Sequence, residues 1–280
     1  MPSRLKAYAS FVKLEHTVFS LPLIFAGTLL HTRGRWPGWR LSLLIASAAI
    51  GARVMAMGLN RLIDHEIDAR NPRTRGRELP RGAMRRGEAW AIVLVSGALY
   101  GLSAWAIDPF CLKLSPVPVA LFALYPYLKR VTVLSHFGLG LAWSTGPLAG
   151  WVAAARSLST FPEVVWLWLF SLFWVAGFDI IYATMDEAFD REAGLHSVPA
   201  QLGKRKALQI AANLHGSALL CLYLLWLREL ATPAAFLWLA AIGGLLIWQH
   251  AIAERRPEFA FFQLNGVLGF LVLGFVLAGA

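Results

Sequence analysis

Short polar segments divide the chain of 280 residues into long apolar runs, and this pattern constrains its fold more than any other feature. Hydrophobic residues make up 58% of the chain and charged residues 15%, against about 45–50% and about 25% in an ordinary soluble domain. A single soluble core of this length cannot hide so much apolar surface from water. The runs predict an all-α, polytopic membrane protein with about 20 residues per transmembrane helix. We predict nine such helices, at roughly residues 15–31, 41–62, 90–107, 117–128, 134–154, 164–186, 207–227, 234–253 and 260–279.

The segments between these helices are short and mostly basic. None is long or polar enough to separate two domains, so we expect residues 1–280 to form a single membrane domain. If the helices alternate across the membrane, 19 of the 26 Lys and Arg residues lie on the side of the N-terminus and six on the other. Such an excess marks the cytoplasmic face of a prokaryotic-type inner membrane. The net charge of +10 therefore indicates orientation in a lipid bilayer and not binding to nucleic acid.

Acidic side chains occur in pairs at the cytoplasmic ends of two predicted helices. Asn60, Asp64 and Asp68 are spaced by four residues, and Asp186 and Asp190 repeat that spacing. Side chains four residues apart lie on one face of a helix, where two carboxylates about 6 Å apart repel by about 3 kcal/mol at a dielectric of about 20. A divalent cation removes this repulsion, and hard oxygen ligands suit Mg²⁺. The pairs predict a Mg²⁺ site facing the cytoplasm, although each pair alone would also fit a solvated helix end.

Basic residues follow on the same side of the membrane. Arg73, Arg77, Lys129 and Arg130 could bind the oxygens of a diphosphate beside Mg²⁺. A purely topological role for this basic loop would leave the nearby acids unexplained. The combination predicts a substrate with a diphosphate head at the membrane interface and a hydrocarbon tail in the bilayer. Departure of the diphosphate would leave an allylic cation, which needs an electron-rich acceptor such as a phenol ring in a dry pocket.

Two charged residues are predicted to lie deeper in the membrane. Arg53 precedes Asn60 by seven residues, and Asp179 precedes Asp186 by seven, with Tyr182 on the same stripe. An intramembrane Arg costs about 2.5–3.5 kcal/mol on insertion scales and is usually paired. We predict that Arg53 binds substrate and that Asp179, with Tyr182 beside it, orients the acceptor hydroxyl or takes a proton. The alternative is that Asp179 serves only as the structural partner of Arg53.

Several motifs follow one another along the chain. They are NxxxDxxxD from Asn60 to Asp68, RTxxR from Arg73 to Arg77, YPxxKR from Tyr125 to Arg130, a variant of YDxxYAxxDxxxD from Phe178 to Asp190, and His196-Ser197. In this order they resemble the motifs of the UbiA-type intramembrane aromatic prenyltransferases, over about residues 15–205. The resemblance implies nine helices around a central cavity, dependence on Mg²⁺ and a polyprenyl diphosphate donor. It also implies that Tyr125 and Ser197 belong to the substrate site.

Departures from the family pattern concern the acceptor. Phe178 replaces the usual Tyr, Glu78 stands where Pro is common, and the first helix lacks the arginine-rich segment usual in 4-hydroxybenzoate enzymes. The chain looks more like the 4-hydroxybenzoate polyprenyltransferase-like branch, which includes futalosine-route enzymes acting on a dihydroxynaphthoate. We therefore expect prenylation of a hydroxylated aromatic acid in ubiquinone or menaquinone biosynthesis. The alternatives are a non-quinone acceptor, such as haem or a chlorophyll precursor, and a membrane carrier for an amphiphilic anion.

Overall fold

The structure, a computed structural model, describes residues 4–12 and 14–280, and its account of side chains covers residues 7–12 and those from 20 onward. Within these ranges the chain forms 14 α-helices, two short 3₁₀ turns and no β-strand. The helices are α1 Arg4–Val12, α2 Leu14–His31, α3 Trp39–Ile63, α4 His65–Arg70, α5 Arg86–Ile107, α6 Pro109–Leu114, α7 Pro116–Leu128, α8 Ser135–Ala155, α9 Val165–Ala183, α10 Glu187–Glu192, α11 Val198–Leu202, α12 Lys204–Glu229, α13 Pro233–Ala253 and α14 Pro257–Gly279. The 3₁₀ turns are Phe161–Glu163 and Thr184–Asp186.

Every predicted transmembrane range coincides with a helix. In the described part of the chain, seven helical segments are long and apolar enough to cross a membrane. They are Trp39–Ile63, Arg86–Ile107, Pro109–Leu128, Val165–Glu192, Lys204–Glu229, Pro233–Ala253 and Pro257–Gly279. The two remaining ranges correspond to α2 and α8, which are not among the seven. The all-α membrane architecture is thus confirmed, while the count of nine spans stays a prediction.

The outer surface of the helices is apolar, as lipid contact requires. Leu94 and Leu102 on α5 and Leu237 and Ile247 on α13 are between 63% and 74% exposed. An exposed apolar surface of this extent is unfavourable in water and is suited to a bilayer. The polar side chains that the sequence analysis singled out are instead gathered inside the helix assembly and at one end of it.

Helix α8 packs against α2, α7 and α9 at very short range, because glycines lie at its contacts. A Cβ on Gly150 would come 2.0 Å from the carbonyl oxygen of Ile24 in α2, and a Cβ on Gly140 would come 2.5 Å from that of Leu172 in α9. Small residues of this kind let helix backbones approach closely within membranes. They bring the polar side chains of α8 into contact with those of α9.

Two helix breaks place the acidic residues differently from the sequence prediction. Asp64 leaves the helical region (φ −89°, ψ 5°) between α3 and α4, and the 3₁₀ turn Thr184–Asp186 separates α9 from α10. The N–H groups of Asp64 and Asp68 keep helical bonds to the carbonyls four residues earlier. The single stripe expected from Asp179 to Asp190 is interrupted, because Asp179 and Tyr182 lie on α9 whereas Asp186 and Asp190 lie in the 3₁₀ turn and on α10. The carboxylates at the breaks instead form charge-assisted bonds to other segments. Each such bond contributes about 1.5–3 kcal/mol, more than the roughly 1 kcal/mol of an ordinary helical hydrogen bond.

Candidate functional site

Asp64 is the most enclosed of the acidic residues, only 3% exposed at the junction of α3 and α4. Its Oδ2 accepts hydrogen bonds from Lys129 Nζ at 2.6 Å and from Asn60 Nδ2 at 3.2 Å. Arg130 lies 3.5 Å from the other carboxylate oxygen and donates to the carbonyl of Ile63 at 2.7 Å. Burial raises the pKa of Asp64 above its ordinary value, although Lys129 opposes this effect. The YPxxKR segment therefore meets the first acidic motif directly.

Asp68 is held by the loop that follows it. Arg77 Nη1 donates to Asp68 Oδ2 at 2.7 Å, and the Thr74 hydroxyl donates to the Asp68 carbonyl at 3.1 Å. Arg77 and Thr74 belong to the segment between α4 and α5, residues 71–85, which we call the arginine loop. Both thus fold back onto the acidic motif. A second ion pair anchors the same loop, because Arg61 Nη1 donates to Glu78 at 2.8 Å with both side chains buried. Glu78, which departs from the family pattern, has a structural partner here.

Asp186 binds the arginine loop from the opposite side. Arg73 donates to it from Nε at 2.8 Å and from Nη2, and Asn71 Nδ2 donates at 2.9 Å. Arg73 also donates to the Tyr182 hydroxyl, with its guanidinium 4.6 Å from the centre of that ring. Burial lowers the pKa of Arg73, but the bonds with Asp186 and Tyr182 outweigh that effect and raise it. The loop thereby bridges the two acidic motifs.

Asp190 and Ser197 form the remaining part of this interface. Ser197 caps α11, because its hydroxyl accepts from the backbone N–H of Ala200 at 3.3 Å. Two residues before Ser197, the N–H of Leu195 donates to the carbonyl of Asp190 at 2.8 Å. The N–H of His196 donates to the carbonyl of Lys129 at 2.7 Å. The structure thus brings the second acidic motif, the His-Ser pair and the YPxxKR segment to one end of the molecule.

Asp179 and Arg53 lie deeper, and the described side chains do not pair them with one another. Asp179 Oδ2 lies 2.6 Å from His136 Nδ1. The Arg53 guanidinium stands over Trp143, 4.7 Å from the ring centre, and its buried Nε has no hydrogen-bond partner among the described residues. In the described part of the chain, the alternative in which Asp179 is the structural partner of Arg53 is therefore wrong.

An apolar cavity of about 600 Å³ lies between α2, α3, α5, α7 and α8. Its wall is formed mainly by aliphatic side chains such as Ile24 and Ile45. Among the residues singled out in the sequence, Arg53 and Tyr125 line the cavity, and Trp143 lines it as well. The cavity can take a hydrocarbon chain, and the charged guanidinium in its wall can bind an acidic group.

Sequence reasoning missed His136, Asn71 and the Arg61–Glu78 pair. His136 could have been found, because a titratable residue within an otherwise uncharged apolar run is a functional signal. Asn71 carried no such signal, since it precedes a proline in a polar loop and is brought to Asp186 only by the fold.

Among the side chains that the structure describes, residues 7–12 and 20–280, no three His, Cys, Asp or Glu converge in the manner of a metal site. The donors nevertheless suit Mg²⁺, since they are carboxylate and amide oxygens. One of them, Asp64 Oδ1, is buried and accepts no hydrogen bond from the described residues. Oxygens of Asp64, Asp68 and Asp186 are held by basic side chains, so the set fits a divalent ion chemically although its members are engaged with other partners.

Comparisons with known proteins agree with one another. The sequence model of the UbiA prenyltransferase family matches residues 20–277. The chain is 28% identical to a 4-hydroxybenzoate octaprenyltransferase of Vibrio vulnificus, over 98% of this chain and 97% of that protein. It is 29% identical to a protein of the same name from Tolumonas auensis, over 98% and 93% of the two chains.

Solved structures show the same fold. An apo UbiA homologue from Aeropyrum pernix superposes with a TM-score of 0.85 at 34% identity, over 92% of this chain and 95% of that one. A UbiA homologue from Archaeoglobus fulgidus, bound to GPP and Mg²⁺, gives a TM-score of 0.71 at 18% identity, over 98% of this chain and all of the other. The second likeness supports the fold alone.

Proposed function

Since the chain belongs to the UbiA prenyltransferase family, we propose that it transfers a polyprenyl group from a polyprenyl diphosphate to a hydroxylated aromatic acid in quinone biosynthesis. We also propose that residues 1–280 form one prenyltransferase domain. The observation that carries the proposal is the set of carboxylate–cation pairs beside an apolar cavity. The 4-hydroxybenzoate octaprenyltransferase relatives favour 4-hydroxybenzoate as acceptor and leave a dihydroxynaphthoate as the second candidate.

Three carboxylates of the site are each paired with a basic side chain. The pairs are Asp64 with Lys129, Asp68 with Arg77, and Asp186 with Arg73. These pairs can exchange partners without leaving a charge unpaired, because a diphosphate would take the basic side chains while Mg²⁺ takes the carboxylates. Asn60, Asp64, Asp68, Asp186 and Asp190 would hold the metal, and Arg73, Arg77, Lys129 and Arg130 the diphosphate. When bound, Mg²⁺ supplies charge stabilisation for the departing diphosphate.

The cavity would receive the hydrocarbon tail and the acceptor. The Arg53 guanidinium in its wall is suited to the acceptor carboxylate, with Tyr125 and Ser197 contributing to the substrate site. The C–O bond of the allylic diphosphate breaks, and its carbon forms a C–C bond with the aromatic ring. Asp179, with Tyr182 nearby, would orient the acceptor hydroxyl or take the proton that the ring loses.

The basic asymmetry of the loops supports an inner or cytoplasmic membrane location with the site facing the cytoplasm. A carrier for an amphiphilic anion would also use intramembrane charges, but the acidic motifs here lie at one end of the molecule. In transporters the substrate and ion sites more usually lie near the middle of the membrane.

A prenyl-transfer assay on the purified protein in lipid tests the proposal. Geranyl diphosphate and a longer polyprenyl diphosphate are supplied with 4-hydroxybenzoate, a dihydroxynaphthoate, haem or a chlorophyll precursor, with Mg²⁺ or with EDTA. We expect Mg²⁺-dependent release of diphosphate and a prenylated aromatic acid on chromatography. Turnover that persists in EDTA would refute the role of the acidic motifs, and the absence of diphosphate release would favour a carrier.

A further inference from the structure

We propose that His136 is a positioning residue that holds the Asp179 carboxylate for proton transfer and does not itself relay the proton. This inference rests on the proposed function, because it assumes that Asp179 acts on the acceptor. It concerns a residue of α8 that belongs to none of the motifs recognised in the sequence.

His136, on α8, is enclosed where this helix meets α9 and α11. Its Nδ1 lies 2.6 Å from Asp179 Oδ2 on α9, and its Nε2 lies 3.2 Å from the backbone nitrogen of Val198 at the start of α11. The His136 side chain is 4% exposed, whereas that of Asp179 is 23% exposed. The carboxylate therefore remains accessible while the imidazole behind it is enclosed.

The backbone contact determines which ring nitrogen carries the proton. The Val198 N–H can only donate, so His136 Nε2 must accept with its lone pair. The neutral ring then carries its hydrogen on Nδ1, which donates to Asp179 Oδ2. In this arrangement both nitrogens are occupied, and neither can accept a proton from Asp179. The imidazole can hold the carboxylate oxygen but cannot pass a proton onward.

The surrounding structure keeps this arrangement in place. Gly140, one helical turn from His136, lets α8 approach the Leu172 carbonyl of α9. Val198 lies three residues after Leu195, whose N–H donates to the carbonyl of Asp190 at 2.8 Å. His136 thus connects the deep carboxylate to the segment that contacts the second acidic motif.

Two kinds of substitution separate positioning from proton relay. His136→Asn keeps an amide donor close to the position of Nδ1, whereas His136→Phe retains a ring of similar size without a donor. If His136 positions Asp179, the Asn variant should retain most of the turnover, and the Phe variant should lose about 10- to 100-fold in kcat with donor KM unchanged.

Controls exclude a merely structural effect. Thermal unfolding should show that each variant is folded at the assay temperature, and calorimetric binding of geranyl diphosphate with Mg²⁺ should be similar in all of them, including Asp179→Asn. His136→Leu provides a second variant without a donor if the Phe variant does not fold. A folded, donor-binding His136→Asn protein as inactive as Asp179→Asn would overturn the positioning role in favour of relay. Full turnover by a folded variant without a donor would overturn it as well.

The protonation state can be measured without any turnover. In ¹⁵N-histidine-labelled protein, the signal that disappears in His136→Asn should show a protonated Nδ1 and an unprotonated Nε2. A protonated Nε2 would refute the inference whether or not the enzyme is active. Conversely, an inactive wild type with the expected signal would refute the proposed function and leave the hydrogen-bond assignment intact.

Discussion

Replacing Arg53 by Met should stabilise the protein and at the same time impair its use of the acceptor. In the described structure Arg53 has no carboxylate partner, its Nε is unbonded, and its favourable contact is with the face of Trp143. A charge inside the membrane costs about 2.5–3.5 kcal/mol. The cation–π contact between Arg53 and Trp143 stabilises the protein by about 0.5–2 kcal/mol. Removing the charge should therefore raise the free energy of unfolding by about 0.5–3 kcal/mol, from the difference between these two effects.

The Arg53→Met variant should be more stable but less active than the wild type if Arg53 binds the acceptor carboxylate. Losing one charge-assisted contact should raise the acceptor KM by about 10- to 150-fold. The donor KM should change little, since Arg73, Arg77 and Lys129, which we propose bind the diphosphate, lie elsewhere. The measurements are thermal unfolding in lipid nanodiscs and steady-state kinetics with each substrate varied. A variant that loses stability while keeping its acceptor KM would show that Arg53 is structural, and the reasoning would fail.

Two further predictions concern the arginine loop. Arg77→Ala should weaken binding of the Mg²⁺–diphosphate complex by about one to two decades, measured by calorimetry. Replacement of the exposed Arg75 by Ala, in the same loop, is the control and should have little effect. Equal losses of affinity in both variants would indicate nonspecific attraction. Glu78→Gln leaves Arg61 buried without a charged partner and should lower the free energy of unfolding by about 3–5 kcal/mol. The double variant Glu78→Leu/Arg61→Met should recover much of that loss in thermal unfolding, and no recovery would contradict a specific pair.

Hydropathy predicted where the helices lie, because lipid-facing and buried positions are both apolar and leave a continuous signal. The breaks at Asp64 and at Thr184–Asp186 could not be predicted in this way. The carboxylates at these breaks pair with Lys129 and Arg73, which are distant in the sequence. Periodicity describes one helix at a time and contains no information about which loop folds back onto it.

The same reasoning applies to the deep part of the site. The seven-residue offsets drew attention to Arg53 and Asp179, which lie within helical segments apolar enough to cross a membrane. Offsets within single helices could not determine the partner of Asp179, because His136 reaches it from α8 through a close helix approach. The roles of these site residues stay predictions until the variants above are measured.

The glycine-rich composition of α8 has a consequence for how the protein enters the membrane. This helix contains four glycines, a proline and the polar side chain of His136, and it is not among the seven segments apolar enough to cross a membrane by themselves. During synthesis it would gain little from contact with lipid tails, whereas contacts with α2 and α9 provide partners for its backbone and for His136. We expect α8 to integrate stably only after α9 has emerged from the ribosome. The features that bring His136 to Asp179 would thus also make the timing of insertion depend on a later part of the chain.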